Sequence, residues 1–354
     1  MLNKIKRFIA SEHLLRVDAL YLVALSGGAD SVALLLCLKE LGYRVEAVHC
    51  NFHLRGEESL RDEQFCEDLC QRENIPFHKA HFDTQSYADL HKVSIEMAAR
   101  ELRYRYFFQL KEALSADGVC VGHHKEDSVE TILINLVRGT GLSGLMGIRP
   151  RNHDVIRPLL CVTRQEIEDY LQKYAVSFVI DSTNLVDDVV RNKIRLNVLP
   201  QLSEINPSIT DAILTTANHL SEVDAIVQES LKTALGKAVS FINSATQVSS
   251  NSLSNEPFQL DLSVVRAFPS PSYLLFYILK PLGFSSSQIT EMVSHLDGQT
   301  GQLWYSSTHE ITHDRGVFMV LPREEAEPRT LIIPETGRYV YDEQLSLRLT
   351  ERAL

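Results

Sequence analysis

No stretch of 18 uninterrupted apolar residues occurs in the 354-residue sequence, which excludes an ordinary transmembrane helix. The amino terminus, MLNKIKRFIASEHLLR, carries charges on both sides of its short apolar pieces. It has neither the apolar core nor the small-residue cleavage site of a secretory signal, and it reads as a mature cytoplasmic start. Cysteine is sparse: six residues in so long a chain make no dense disulfide framework, and a reduced compartment is expected. Cys66 and Cys70 would share one helix face, but with no CxxC and no second pair they complete no zinc set, so semi-buried thiols are expected there. The glycine-rich turn Ser26-Gly-Gly-Ala-Asp-Ser31 holds no lysine, and neither the Walker Gly-Lys-Ser/Thr nor GxGxxG is present.

What is present suffices for ordinary cores. The apolar fraction is 44%, and the length argues for two or three domains. A net charge of −11 speaks against a polyanionic partner, but its distribution is uneven. Residues 201–354 hold 10 Lys and Arg against 18 Asp and Glu, whereas residues 1–200 hold 25 against 28, so a local basic surface in the first part remains open.

Up to about residue 206 the chain alternates short apolar runs with longer amphipathic ones, the pattern of a parallel sheet with crossover helices. Strands are expected at Tyr21–Leu25, Val45–Asn51, Ile75–His81, Val119–Gly122, Val155–Leu159 (a short edge strand) and Phe178–Ile180. Helices are expected at Ser31–Leu41, Glu58–Glu73, Ser94–Leu114, Glu126–Arg138 and Thr163–Tyr174, the last capped by Thr163. The predicted fold class is α/β, a doubly wound, mostly parallel sheet over 1–206. A helical domain over 207–298 and a small β-rich part over 299–354 follow, with an exposed Ser/Asn-rich loop at Ser244–Asn255. The end of the chain just after a strand-like run suggests truncation.

A glycine turn between strand and helix aims backbone N–H groups at an anion over the helix N-terminus. With no lysine in the loop, the ligand expected at Ser26, Gly27, Gly28 and Ser31 is pyrophosphate held by amides and hydroxyls, with Asp30 placed to bind a metal ion. Standing alone, the motif would equally suit a tight turn capped by Asp30 or Ser31. Val119-Cys-Val-Gly-His-His-Lys-Glu-Asp-Ser-Val-Glu-Thr131 runs from a strand end into a helix, at the edge where open α/β sheets bind ligands. His123 and Asp127 are four apart there, so if the helix begins early they share a face, with Glu130 three residues beyond. Arg100 and Arg103 share one face of the 94–114 helix, while Arg105 falls on another.

The turn matches the SGGxDS signature of the PP-loop ATP pyrophosphatases, and five further stretches resemble the tRNA(Ile)-lysidine synthetase family in order. GHHKEDSVET resembles its GHHxDDxxET, with Glu126 in place of the first aspartate. Ala99-Arg100 to Arg103-Tyr104 resembles its AR..RY. His49-Cys-Asn-Phe-His-Leu-Arg55 resembles its HVNHxLR, with Phe52 where a histidine is usual. Arg157-Pro-Leu-Leu160 with Arg164 to Ile167 is similar to RPLL…R.EI, and Asp181-Ser-Thr-Asn184 with Arg191 to Arg195 is similar to DSTN…RN.IR. A thinner likeness covers Trp304–Arg315.

The resemblance implies ATP-dependent ligation of free lysine to C2 of the wobble cytidine of a CAU-anticodon tRNA(Ile), through an adenylated cytidine, with ATP and Mg²⁺ as cofactors. It implies nucleotide contacts at Ser26, Gly27, Gly28, Asp30, Ser31, His49, Asn51 and Arg100, and Mg²⁺ at Asp30. It further implies catalytic roles for Asp30, Arg103, His123 and Asp127, with lysine near His123 and Asp127. RNA contacts are implied at Arg138, Arg191, Lys193 and Arg195. One chain leaves a homodimer open. A tRNA thiolase is the nearest rival, weakened by the missing CxxC pairs; an amidotransferase would need a glutaminase part, for which there is no candidate. An idle RNA-binding protein would not require Asp30, Arg103, His123 and Asp127 together.

Overall fold

Leu20–Ala24 (β1) is buried along its centre, as a strand covered on both faces must be, and its neighbours pair with it in parallel. The computed structural model describes residues 1–179, 190–242, 253, 256–298 and 300–323, together with the backbone of 337–340 and 346–349. The chain divides into two units, Met1–Asp224 and Ala225–Leu354.

The first unit runs α1 (Leu2–Ser11), β1, α2 (Ala29–Glu40), β2 (Arg44–Asn51), α3 (Glu57–Glu73), β3 (Phe77–His81), α4 (Thr84–His91), α5 (Ile95–Ala113) and β4 (Gly118–Cys120). It continues with α6 (Lys125–Arg138), α7 (Leu142–Leu145), β5 (Arg151–Asn152), β6 (Val155–Ile156), α8 (Arg164–Lys173), α9 (Val190–Lys193), a wide helical turn Ile194–Val198 and α10 (Leu199–Ile205). A 30-residue helix, α11 (Ile209–Ala238), contains the division between the units. The sheet order is β3-β2-β1-β4-β6-β5, parallel except for β5. The order reverses beside β1, so the carboxyl ends of β1, β2 and β4 open on a crevice at the switch point.

Local chemistry explains the helix ends around that crevice. Ser94 caps α5 by accepting from Met97 N, and Thr163 and Glu166 close a reciprocal capping box on α8. α2 is buried nearly all round, from Ala29 to Leu38, because it lies between the sheet and α8. Cys66 and Cys70 point into that same core, and burial pushes both thiols up, Cys70 to about 12.

The second unit builds an antiparallel sheet in the order β7-β8-β11-β10-β9 from β7 (Val239–Phe241), β8 (Phe258–Asp261), β9 (Leu303–Tyr305), β10 (His309–Asp314) and β11 (Val317–Pro322). Helices α12 (Leu262–Ala267), α13 (Pro271–Leu279) and α14 (Ser286–Ser294) share its core with Phe258, Phe284, Trp304 and Phe318. A separate two-stranded pairing joins β12 (Gly337–Val340) to β13 (Ser346–Leu349).

Several expectations need correction. Phe178 and Val179 form no strand; Val179 instead donates its backbone N–H to Gly27 O at 2.9 Å, while Ile180 lies outside the described residues. The strand expected at Val155–Leu159 stops at Ile156 and is not the edge, because β5 pairs outside it. The sheet of the second unit spans the division expected at 298/299, since β8, which carries β7 on its other edge, pairs with β11 from beyond it. Of Ser244–Asn255 only Leu253 is described, and it is buried in the core. The Asp181–Asn184 motif lies outside the described residues. Among the described residues, no helix is long and apolar enough to cross a membrane.

Candidate nucleotide and adenylation site

The crevice contains a cavity of about 400 Å³ whose floor is the turn between β1 and α2. Gly27 takes φ +90°, and a Cβ there would meet Val179 Cγ2 at 3.3 Å and Cys66 Sγ at 3.4 Å, so a side chain is strained by conformation and crowded by contact. Gly28 occupies the position before α2 and supplies no side-chain cap, which leaves the first helical N–H groups for a ligand. Ser31 Oγ donates to Gly28 O at 2.9 Å and accepts from Ser26 N at 3.2 Å, closing the loop on itself. Gly122, at the end of β4, lets that strand approach the loop: a Cβ would stand 3.0 Å from the Asp30 carbonyl carbon.

Asp30 follows the cradle. Its Oδ1 is buried and, among the described residues, accepts no hydrogen bond. Burial raises the Asp30 pKa, against the pull of His124 and with the repulsion of Asp127. An orphaned carboxylate oxygen beside an anion cradle fits a Mg²⁺ ion, which keeps several waters and needs one or two carboxylates besides substrate phosphates. No group of three or more His, Cys, Asp and Glu side chains able to hold a metal exists among the described residues, so a closed protein cage is not offered.

The opposite wall is cationic. Arg100 and Arg103 of α5 both line the cavity, and among the described residues neither has a carboxylate partner. Arg103 lies 5.2 Å from the centre of the Phe52 ring, and Arg100 4.9 Å from that of Tyr104. The expected histidine at Phe52 is thus replaced by an aromatic face under the guanidinium. Arg105 turns away, as expected, and donates to Tyr87 OH. His49 and Asn51 also line the cavity, but their side chains are engaged: His49 Nδ1 donates to Leu25 O at 2.8 Å, and Asn51 Nδ2 donates to Glu63 at 2.7 Å. They shape the β2 end of the pocket.

The two histidines at the start of α6 part company. His124 occupies the N-cap position of the helix, and its backbone N–H donates to Asp127 Oδ2 at 3.0 Å. Its ring donates from Nδ1 to Glu126 at 2.9 Å. Burial alone would lower its pKa, but Glu126, Asp127 and Asp30 outweigh burial and hold it above the usual histidine value. His123 lines the cavity instead, and its pKa is lowered to about 4, by burial first and then by nearby Arg157 and Arg191 against the pull of Asp127. The expected pair His123 and Asp127 is therefore brought to one region, with His124, absent from the sequence-derived set, between Asp127 and Asp30.

Arg191 and Arg195, expected at RNA phosphates, turn instead toward α6. Arg195 makes a two-pronged contact with the fully buried Glu130, at 2.6 and 3.1 Å, and lies 3.5 Å from Asp127. Arg191 NH1 stands 3.7 Å from Asp127. Arg138 and Lys193 are exposed.

An amide cradle without a lysine, set before an acid and two unpaired arginines, belongs to ATP-using proteins of the PP-loop class. Residues 1–202 match the family described as a PP-loop domain, and residues 253–323 match the TilS substrate binding domain. The solved U34-tRNA thiolase NcsA from Methanococcus maripaludis shares the fold, with a TM-score of 0.53 at 16% identity over 62% of this chain and 78% of that one. The tRNA(Ile)-lysidine synthase of Bacteroides thetaiotaomicron is 44% identical over 343 residues, 96% of this chain and 77% of the relative. That of Parabacteroides distasonis is 45% identical over 95% of this chain and 74% of the relative, and that of Porphyromonas gingivalis W83 is 43% identical over 90% and 67%. The chain belongs to the tRNA(Ile)-lysidine synthase family.

Proposed function

We propose that this protein joins the amine of free lysine to C2 of the wobble cytidine of a CAU-anticodon tRNA(Ile). ATP is cleaved between its α and β phosphates, O2 of the cytidine receives the adenylyl group, and lysine then attacks C2 and expels AMP. The observation that carries this reading is one cavity in which the open N-terminus of α2 faces Arg100 and Arg103 across Asp30.

Ser26, Gly27, Gly28 and Ser31 hold the departing pyrophosphate through amides and hydroxyls. Asp30 holds Mg²⁺, which when bound neutralises phosphate charge. Arg103, preorganised on Phe52, offsets charge growing on the α-phosphate, an effect of about 3 kcal/mol for one well-placed donor. Arg100, with the pocket wall shaped by His49 and Asn51, faces the nucleotide. Asp127 receives the lysine ammonium: its contacts to Arg191 and Arg195 are longer than hydrogen bonds, so it retains acceptor capacity. Exposed Arg138 and Lys193 meet RNA phosphates, and such a substrate places the enzyme in the cytoplasm.

Purified protein supplied with ATP, Mg²⁺, labelled lysine and a CAU-anticodon transcript incorporates label into the RNA. Absence of incorporation by folded protein overturns the reading. Asp30→Ala abolishes AMP formation while the circular dichroism spectrum is retained; undiminished AMP release removes the metal assignment.

A further inference from the structure

Arg157 follows β6 and is buried, with 8% of its surface exposed. Its guanidinium donates from NH1 to the carbonyl of Arg149 at 3.0 Å and from Nε to Nδ1 of His123 at 3.2 Å. A guanidinium has donors only, so the Nδ1 it meets must present a lone pair. A neutral imidazole with an acceptor at Nδ1 carries its proton at Nε2. Among the described residues Nε2 of His123 has no hydrogen-bond partner, and the ring lines the nucleotide cavity.

We infer that Arg157 is a positioning residue that fixes His123 as the neutral Nε2–H tautomer, so that His123 offers the cavity a hydrogen-bond donor for an anionic nucleotide oxygen and not a proton acceptor. This rests on the adenylation chemistry proposed above and deepens it. The one ring nitrogen with a lone pair is held by a cation, and the nitrogen left for the ligand already bears a proton. His123 is therefore excluded as the base that takes the proton from the lysine amine. The groups facing the ring agree with a neutral state: burial, Arg157 from the loop after β6, Arg191 from α9 and His124 beside it oppose a positive charge and together outweigh the pull of Asp127.

The test begins with the tautomer itself. In protein labelled with ¹⁵N-histidine, long-range ¹H–¹⁵N spectra at pH 7, assigned by comparison with His123→Gln, show for His123 a protonated Nε2 and a bare Nδ1. A protonated Nδ1, or an imidazolium, overturns the inference whether or not lysine ligation is observed. Arg157→Met removes the donor, and His123 then becomes a tautomer mixture. Its kcat for AMP formation falls, by up to about 100-fold for a mispositioned group, while the KM for ATP changes little. Arg157→Lys, which keeps a cationic donor, recovers part of kcat. If Arg157→Met folds and leaves the His123 tautomer unchanged, Arg157 does not position the ring. If Arg157→Met does not fold, the wild-type spectrum decides alone.

Discussion

His124 Nε2 stands 3.8 Å from Asp30 Oδ1 and 3.6 Å from Asp127 Oδ2, so one imidazolium joins the acid of the nucleotide loop to the acid of α6. Its attraction works against the burial and the Asp127 repulsion that raise the Asp30 pKa. The neighbouring His123 faces the cavity and stays neutral. The pKa values of two adjacent histidines move in opposite directions because their rings meet carboxylates in one case and a guanidinium in the other.

His124→Gln keeps a polar side chain but removes the charge. Burial and Asp127 then act on Asp30 without the opposing cation, so its pKa rises further and a higher pH is needed to ionise it. The acid limb of AMP formation against pH is expected to move upward, with a loss of about 100-fold at neutral pH, of the size seen when one preorganised electrostatic group is removed. A wild-type pH profile for this variant would refute the arrangement.

Arg195→Met leaves Glu130 fully buried with only the longer contact to Arg191, 3.9 Å away. Breaking a buried pair from one side costs about 3 kcal/mol at neutral pH. The Glu130 pKa is already raised by burial, and loss of Arg195 raises it more. A raised carboxyl binds its proton more readily in the folded state, so the destabilisation is full above the raised folded-state pKa and fades as pH falls through it toward the ordinary carboxyl value. Urea melts at two pH values measure this; equal losses at both would contradict it.

Gly27→Ala puts a Cβ where φ is +90° and where Val179 and Cys66 leave 3.3 and 3.4 Å. Strain of about 1–2 kcal/mol is expected, visible as a lowered Tm, together with weaker ATP binding because the amides of the turn shift. Unchanged ATP affinity would mean that the turn does not hold the nucleotide.

Arg138→Ala and Lys193→Ala each remove an exposed cation. Each is expected to weaken tRNA binding evenly across sequences and to reduce the slope of log affinity against log salt by about 1. Arg191→Ala should leave that slope less affected, since its guanidinium is turned toward Asp127 and Glu130.

The nucleotide loop was legible because its signals are local. An apolar strand, two glycines and a polar helix start lie within a dozen residues, and β1, α2, β2 and α3 begin within two residues of where the pattern puts them. Phe178 and Val179 misled because a short apolar run reads alike as strand or as packed extended chain. β7 and β8, three and four residues long, are too short to show alternation, so the second unit looked like helices followed by strands. α1 and α4 were not anticipated.

Residue types and their order along the chain were enough for the parallel sheet and for the glycine turn between β1 and α2, since each depends on periodicity or spacing over one or two elements; that Arg100, Arg103 and His123 line one cavity is visible only in the folded chain. So are charge state and direction. His124 is held cationic by acids from α2 and α6, His123 is held neutral by an arginine 34 residues away, and Arg191 and Arg195 spend their charge on α6. Those outcomes depend on burial and on partners distant in sequence, and electrostatic balance in a low-dielectric crevice is decided only once folding has fixed which groups face each other.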